Sequence, residues 1–315
     1  MSADVEADAV GHAVAVLGDL ARCQVPLGTL TTYRVGGAAA VLVKPTARHQ
    51  LHLVAEAARV SGLPVLVIGR GSNMLVADDG FAGIVVSTTE LDESVAIDVD
   101  GAIVTAPAGT SLPVLARQTA AAGLTGFEWA VGVPGSLGGA VRMNAGGHGS
   151  DMAASISTVD VFGFATGAQR TLGVAELGLG FRTSTLGPDA LVLAARLQLA
   201  PGDAERSATM ISEIVAWRRL HQPGGQNAGS VFVNPVPGEI SAGALIDAAG
   251  LRGHRLGTAH VSEKHANFIQ ADEGGRADDV RALMTVVRDR VEEASGFRLR
   301  SEIRLIGFAD ESDDG

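Results

Sequence analysis

Short apolar runs rich in valine and isoleucine alternate with longer segments of helical periodicity along this chain. That alternation predicts an α/β or α+β protein rather than a helix bundle or a sandwich. The run "VLVKP" predicts a strand, after which Thr46 is expected to cap a helix that turns Leu51, Leu53, Val54 and Ala57 inward. "PVLVIG", "GIVVS" and "AIVTAPAG" predict further strands, and "SLPVLARQTAAAG" predicts a helix with a serine cap, proline in its first turn and a stop at Gly123. Downstream, "ALVLAARLQLA" alternates as a strand does. "DAERSATMISEIVAWRRLH" predicts a helix with Ile211, Ile214, Val215 and Trp217 on or near one face. After the loop "QPGGQNAG" come two helices, "SAGALIDAAG" and "ADDVRALMTVVRDRVEEASG", around the strand-like "ANFIQ", and the chain closes on the strand "SEIRLIG".

Composition narrows the class. The 315 residues are 46% hydrophobic, enough for a sizeable core and more than one domain. A boundary is expected near residue 205, where the long helix leaves the strand-rich part. No apolar run reaches the roughly 20 residues a spanning helix needs, and the acidic start is unlike a signal peptide. The expectation is a cytoplasmic protein with no membrane partner. The one cysteine, Cys23, excludes a disulfide framework and a cysteine metal cage. A net charge of −11 argues against nucleic acid as a partner, since such a surface repels a phosphate backbone. Both ends, "SADVEADA" and "FADESDDG", are acidic, lack hydrophobic periodicity and are expected to fray.

Two glycine-rich segments stand out: "IGRGSNMLV" and "GVPGSLGGAVRMNAGG", the latter from Gly132 to Gly147. In the first, Gly69, Gly71, Ser72 and Asn73 turn the chain after a strand and leave backbone N–H groups to face an anion, although a plain tight turn explains them equally well. In the second, Gly132, Gly135, Gly138 and Gly139 recur with Ser136 and Asn144, a spacing that lets a flat or pyrophosphate-bearing ligand approach the main chain. Neither segment is a P-loop or a dinucleotide Rossmann fingerprint, and no zinc-type spacing of His and carboxylates occurs.

In order along the chain stand "TTYRVGG", "IGRGSNMLVADDGFAGIVV", "GVPGSLGGAVRMNAGG", "LGFRTSTL", "AGSVFVNP", "SAGALIDAAGLRG", "VSEKHANFI" and "LRSEIRLIG". By these the chain resembles the UDP-N-acetylenolpyruvoylglucosamine reductase family, also called UDP-N-acetylmuramate dehydrogenases, over about residues 25 to 307. The resemblance implies an α+β fold, with a two-part FAD-binding region of the vanillyl-alcohol-oxidase type followed by an α+β substrate-binding domain. The expected organisation is a variable arm over 1–22, the FAD region over 23–205 divided near 88, the substrate domain and closing strand over 206–307, and an acidic tail over 308–315.

The resemblance further implies non-covalent FAD, held by Gly69, Gly71, Ser72, Asn73, Gly132, Gly135, Ser136, Asn144 and Gly146, and NADPH as hydride donor. Ser230 matches the family's proton donor, and Arg182 and Glu302 match its charged active-site pair. In the implied reaction C3 of an enolpyruvyl group receives hydride and C2 a proton; Arg182 offsets charge on the substrate carboxylate and Glu302 assists. The UDP-sugar diphosphate would meet Asn234 and Lys264, with His265 and His221 nearby, and no protein partner is inferred. Taken alone, each of these residues also has a structural explanation, from turn serines to surface ion pairs. Two other functions remain open: an alcohol or hydroxy-acid oxidase of the same fold with flavin attached to a histidine such as His148, and a flavin or nucleotide-sugar binding protein without turnover.

The chain departs from the family at several positions. Phe181 stands where many relatives have tyrosine, Val233 replaces a polar or basic residue, and His221 stands where lysine is usual. A phosphate contact at His221 would weaken as pH rises. The short stretch between Arg182 and "WRRLHQP" places the chain in the branch lacking an extra tyrosine-bearing loop. Arg142 and His148 are not generic family residues and are expected to make local loop contacts.

Overall fold

The computed structural model describes residues 3–91 and 94–308. The chain forms two compact units. One comprises residues 1–25, 40–70 and 82–218; the other comprises 26–39, 71–81 and 219–315. The Ala204–His221 helix, whose start lies at the boundary expected near 205, contains the point at Arg218 and Arg219 where the chain passes from the first unit to the second.

The first unit contains two sheets of more than two strands. A four-stranded one runs in the order Ala21–Pro26, Ala38–Val43, Phe81–Ser87, Val65–Ile68, the last pair parallel. The helices Ala3–Leu17 and Gln50–Ser61 bury Ala9, Ala13, Leu17, Leu51, Val54 and Ala57 in a core shared with Val41, Val43, Ile84 and Val86. The second sheet is five-stranded, in the order Ala168–Gly173, Ile156–Gly163, Ala190–Gln198, Ile103–Pro107, Ala96–Asp98, antiparallel throughout. Its core joins Val104, Leu115, Leu137, Val159 and Leu197 to Phe127 and Trp129.

In the second unit, the strands Arg255–Leu256, Ala259–Val261 and Ile269–Ala271 form a small antiparallel sheet against the Ala277–Ser295 helix. That helix buries Val280, Leu283, Met284, Val287 and Val291, the spacing of a single apolar face. Tyr33, Val35 and Leu75 belong to the same core. The closing strand Arg304–Ile306 pairs in parallel with Met74–Val76. The Tyr33 hydroxyl is wholly buried without a hydrogen-bond partner among the described residues, and burial pushes its pKa far above the ordinary tyrosine value.

Several local expectations need correcting. From Ala3 onward the N-terminal segment is helical rather than frayed, because Ala9, Ala13 and Leu17, four residues apart, make a narrow stripe that fits against the next helix. Of the acidic tail, residues beyond Phe308 lie outside the described part. Thr46 does not cap the following helix. Its N–H and that of Ala47 donate to Gln50 Oε1, and the helix begins only at Gln50. Leu53 and Trp217 are 41% and 46% exposed, off the buried faces of their helices. Ser111 occupies the cap position of the Leu112–Ala121 helix without a side-chain bond, since it pairs with Ser136 and the Leu112 N–H donates to Gly135 O instead.

Candidate active site

In the first unit the two glycine segments meet. A Cβ at Gly69 would overlap Ser136 Oγ, with Thr88 Oγ1 also nearby. A Cβ at Gly138 would lie 2.8 Å from Ala108 Cβ, and one at Gly109 would overlap Thr88 O. Leu137 and Gly138, at the start of the Leu137–Arg142 helix, donate to Thr110 O and Ala108 O, fixing that helix against the loop after the Ile103–Pro107 strand. Glycine is therefore required here by close packing, against the side chains of Ser136 and Ala108 at Gly69 and Gly138 and against the Thr88 carbonyl at Gly109. Thr88, Ala108 and Gly109 were not singled out in the sequence, although "APAGTS" after a strand carries the same small-residue signal.

Further along, Gly146 and Gly147 pair with Asp151 and Ser150 as a short hairpin. A Cβ at Gly146 would come within 2.6 Å of Ser150 O and Asp151 Cβ, whereas one at Gly147 would meet nothing within 4 Å. Asn144 is buried, with φ of 38°, a left-handed conformation that asparagine tolerates better than most residues. Its amide donates to Asp151 Oδ2 at 3.2 Å and Gly180 O at 2.9 Å, and its Oδ1 accepts from Ala153 N at 2.9 Å. The side chain is thus committed to shaping the loop, and any cofactor contact there would fall to the backbone.

Gly132 faces His148, whose Cδ2 would be 3.0 Å from an added Cβ, and Gly132 O accepts from the Arg218 guanidinium. His148 stands edge-on to Trp217 at 5.3 Å between ring centroids. Burial and then the Arg218 charge hold its pKa below the ordinary histidine value, so the ring is neutral at physiological pH. Arg182 lies at the tip of a two-residue turn closed by Gly180 and Thr183. Its φ is 54°, a conformation that costs a non-glycine residue about 1–2 kcal/mol. Its guanidinium donates to Gly146 O at 3.0 Å and lies 5.4 Å from the centre of the Phe181 ring, so the phenyl group serves as a stacking face.

In the second unit Ser230 and Glu302 lie on neighbouring segments. Glu302 N donates to Val231 O at 2.8 Å, Phe232 bridges Ser301, and Val233 N donates to Arg300 O at 2.9 Å. Asn73 joins the same group: its Nδ2 donates to Glu302 O at 3.2 Å and its carbonyl accepts from Arg304 N at 2.9 Å. Gly71, with φ of 56°, sits where a Cβ would be 2.7 Å from Thr31 Cα, and Ser72 is half-buried between Gly71 and Asn73. Asn267 clamps the serine segment, its Oδ1 accepting from Phe232 N, its Nδ2 donating to Phe232 O and its carbonyl accepting from Val231 N. Sequence reasoning passed over Asn267 in favour of its neighbours in "EKHANF"; its near-complete burial is what marks it.

The residues expected to meet a diphosphate are more exposed. Asn234 Oδ1 accepts from Ala242 N at 3.0 Å, holding the start of the Ala242–Ala248 helix. Lys264 Nζ donates to Arg219 O, and His221 is the exposed last residue of its helix. His265 is half-buried, packs edge-on to Phe268 and accepts from Asn267 N at its Nδ1. Burial, then the Arg252 charge, keeps its pKa below the ordinary histidine value despite an opposing backbone hydrogen bond. Through this bond the His265 ring helps to hold Asn267 in place.

Residues 39–173 match a family model described as "FAD binding domain", and residues 220–306 match one described as "UDP-N-acetylenolpyruvoylglucosamine reductase, C-terminal domain". The chain is 45% identical to a UDP-N-acetylenolpyruvoylglucosamine reductase of Gloeobacter violaceus, covering 90% of this chain and 95% of that one. It is 41% identical to one from Heliobacterium modesticaldum, covering 93% and 92%. The solved structure of the reductase from Thermus caldophilus superposes with a TM-score of 0.77 at 36% identity, covering 91% of this chain and 99% of that one.

Proposed function

Because this chain belongs to the UDP-N-acetylenolpyruvoylglucosamine reductase family, we propose that it reduces the enolpyruvyl group of UDP-N-acetylglucosamine enolpyruvate to UDP-N-acetylmuramate with NADPH, in the cytoplasm, as a step of peptidoglycan precursor synthesis. It is an FAD-dependent oxidoreductase. The small-residue cradle where Gly69 closes on Ser136, and the open side of Gly147, fit a flat cofactor approaching the main chain. Bound FAD supplies the hydride carrier between NADPH and C3 of the enolpyruvyl group. No helix among the described residues is long and apolar enough to cross a membrane.

The chain's own residues bind, orient and protonate. Arg182 presents a planar guanidinium suited to a substrate carboxylate, where it offsets the negative charge that grows as C3 is reduced. Ser230 delivers a proton to C2, which a weakly acidic hydroxyl does only from a fixed position beside a strongly basic carbon. Glu302 assists as a protonated or hydrogen-bonding partner, and Asn234, Lys264 and His221 meet the diphosphate, with His265 nearby. The observation that carries this reading is the pairing of the Ser230 and Glu302 segments, locked on one side by Asn267 and on the other by Asn73.

The test divides the reaction in two. The purified protein should be yellow, bleach with NADPH, and recover its colour without oxygen only when the enolpyruvyl UDP-sugar is added. In Ser230→Ala, bleaching by NADPH should continue near its original rate, while recovery falls by roughly 100-fold to 10,000-fold, the contribution of a positioned acid. Equal slowing of both halves would indicate displaced FAD; slowing of neither would remove Ser230 from the mechanism.

A further inference from the structure

The turn that carries Arg182 has little packing of its own: Phe181 at its tip is 59% exposed, and the arginine backbone is in the left-handed region. Besides Thr185, which donates to Leu177 O and Glu176 O, what fixes it is a set of hydrogen bonds from the stretch around Arg142, the last residue of the Leu137–Arg142 helix. The Arg142 guanidinium donates to three carbonyls on the segment after the turn: Leu186 O at 3.1 Å, Gly187 O at 3.0 Å, and Ala190 O. Ser184 Oγ donates back to Arg142 O at 2.7 Å. On the near side, Asn144 holds Gly180 O. The turn is thereby gripped before and after Arg182, and Arg142 supplies the larger part of the downstream grip.

We infer that Arg142 is a positioning residue for Arg182, setting the angle at which that guanidinium meets the substrate carboxylate. The inference rests on the reading of Arg182 given above. The chemistry favours arginine specifically: a planar fork reaches several carbonyls at once, and the ammonium of lysine, a single point charge, cannot span the same three. A displacement of an ångström at a residue that orients a reacting group slows a reaction without unfolding the protein.

The test compares Arg142→Lys and Arg142→Ala with Arg182→Ala and with the Arg142→Ala/Arg182→Ala double variant, all measured on the flavin-loaded fraction. Arg182→Ala comes first, since unchanged recovery of flavin colour with the enolpyruvyl UDP-sugar would end the reading of Arg182 and the inference with it. With that reading upheld, both Arg142 variants should bleach normally with NADPH and recover about 10-fold to 100-fold more slowly, the range expected for a misplaced orienting group. Calorimetry supplies a readout apart from turnover: affinity for the enolpyruvyl UDP-sugar should fall, while affinity for UDP, which lacks the carboxylate, should not. The double variant should be no slower than Arg182→Ala alone. The inference is overturned, with the Arg182 reading intact, if Arg142→Lys recovers at the wild-type rate, if UDP and substrate binding weaken together, or if the two substitutions slow recovery additively.

Discussion

At the scale of single residues, neighbouring glycines of one loop carry different duties. Gly146 is bounded by its own hairpin, with Ser150 O and Asp151 Cβ each 2.6 Å from where a Cβ would stand, whereas the same position at Gly147 is open. Gly146→Ala should therefore destabilise the apoprotein by about 1–3 kcal/mol, as overpacking does. Gly147→Ala should leave the apoprotein melting temperature unchanged and weaken FAD binding, if the open side is the cofactor's. Thermal melts of flavin-stripped protein and flavin titration separate the two; equal melting losses would contradict the assignment. The resemblance assigns Gly146 and not Gly147 to the cofactor, because a sequence records that a side chain is missing and not what stands opposite. The same holds for Asn144, whose type and place in the motif are legible, while the commitment of its amide to Asp151, Gly180 and Ala153 depends on residues up to 36 positions away.

At the scale of elements, most strands and helices are legible because their apolar periods are clean. The N-terminal helix escapes because its buried stripe is largely alanine, and alanine weighs little in a hydrophobic pattern. The tie between the Glu128–Gly132 turn and the Ala204–His221 helix is also hidden. Glu128, 4% exposed, accepts from Ser207 Oγ of that helix, from Thr125 Oγ1 and from Gly126 N. Burial pushes its carboxyl pKa up, but these hydrogen bonds together pull further, and the net position is below the ordinary value of 4.5. The folded state thus binds this proton less readily than the unfolded chain. The stabilisation is complete above the unfolded value and is lost as pH falls through the lower folded one. Glu128→Gln should cost roughly 1–3 kcal/mol at neutral pH and make the acid side of the stability profile shallower. Urea melts across the acid range check this, and an unchanged slope would exclude Glu128 as a contributor.

At the scale of the whole molecule, what a linear reading gives least is membership. The second unit draws on residues 26–39 and 71–81 as well as 219–315, and these two short stretches supply Tyr33, Val35 and Leu75 to its core and the parallel partner of the closing strand. A fragment of residues 219–315 should accordingly show no cooperative thermal transition by circular dichroism, since it lacks core side chains and leaves one strand unpaired; a sharp two-state melt would show that the long segment suffices. The burial of Tyr33 has an optical consequence as well. It is the chain's only tyrosine and belongs to the second unit, while both tryptophans, Trp129 and Trp217, belong to the first. Fluorescence excited on the red edge of indole absorption reports on one unit, and the second-derivative ultraviolet band of the phenol reports on the other. The molecule is labelled by nature with a separate chromophore in each half, and the order in which the halves come apart can be watched without attaching a dye.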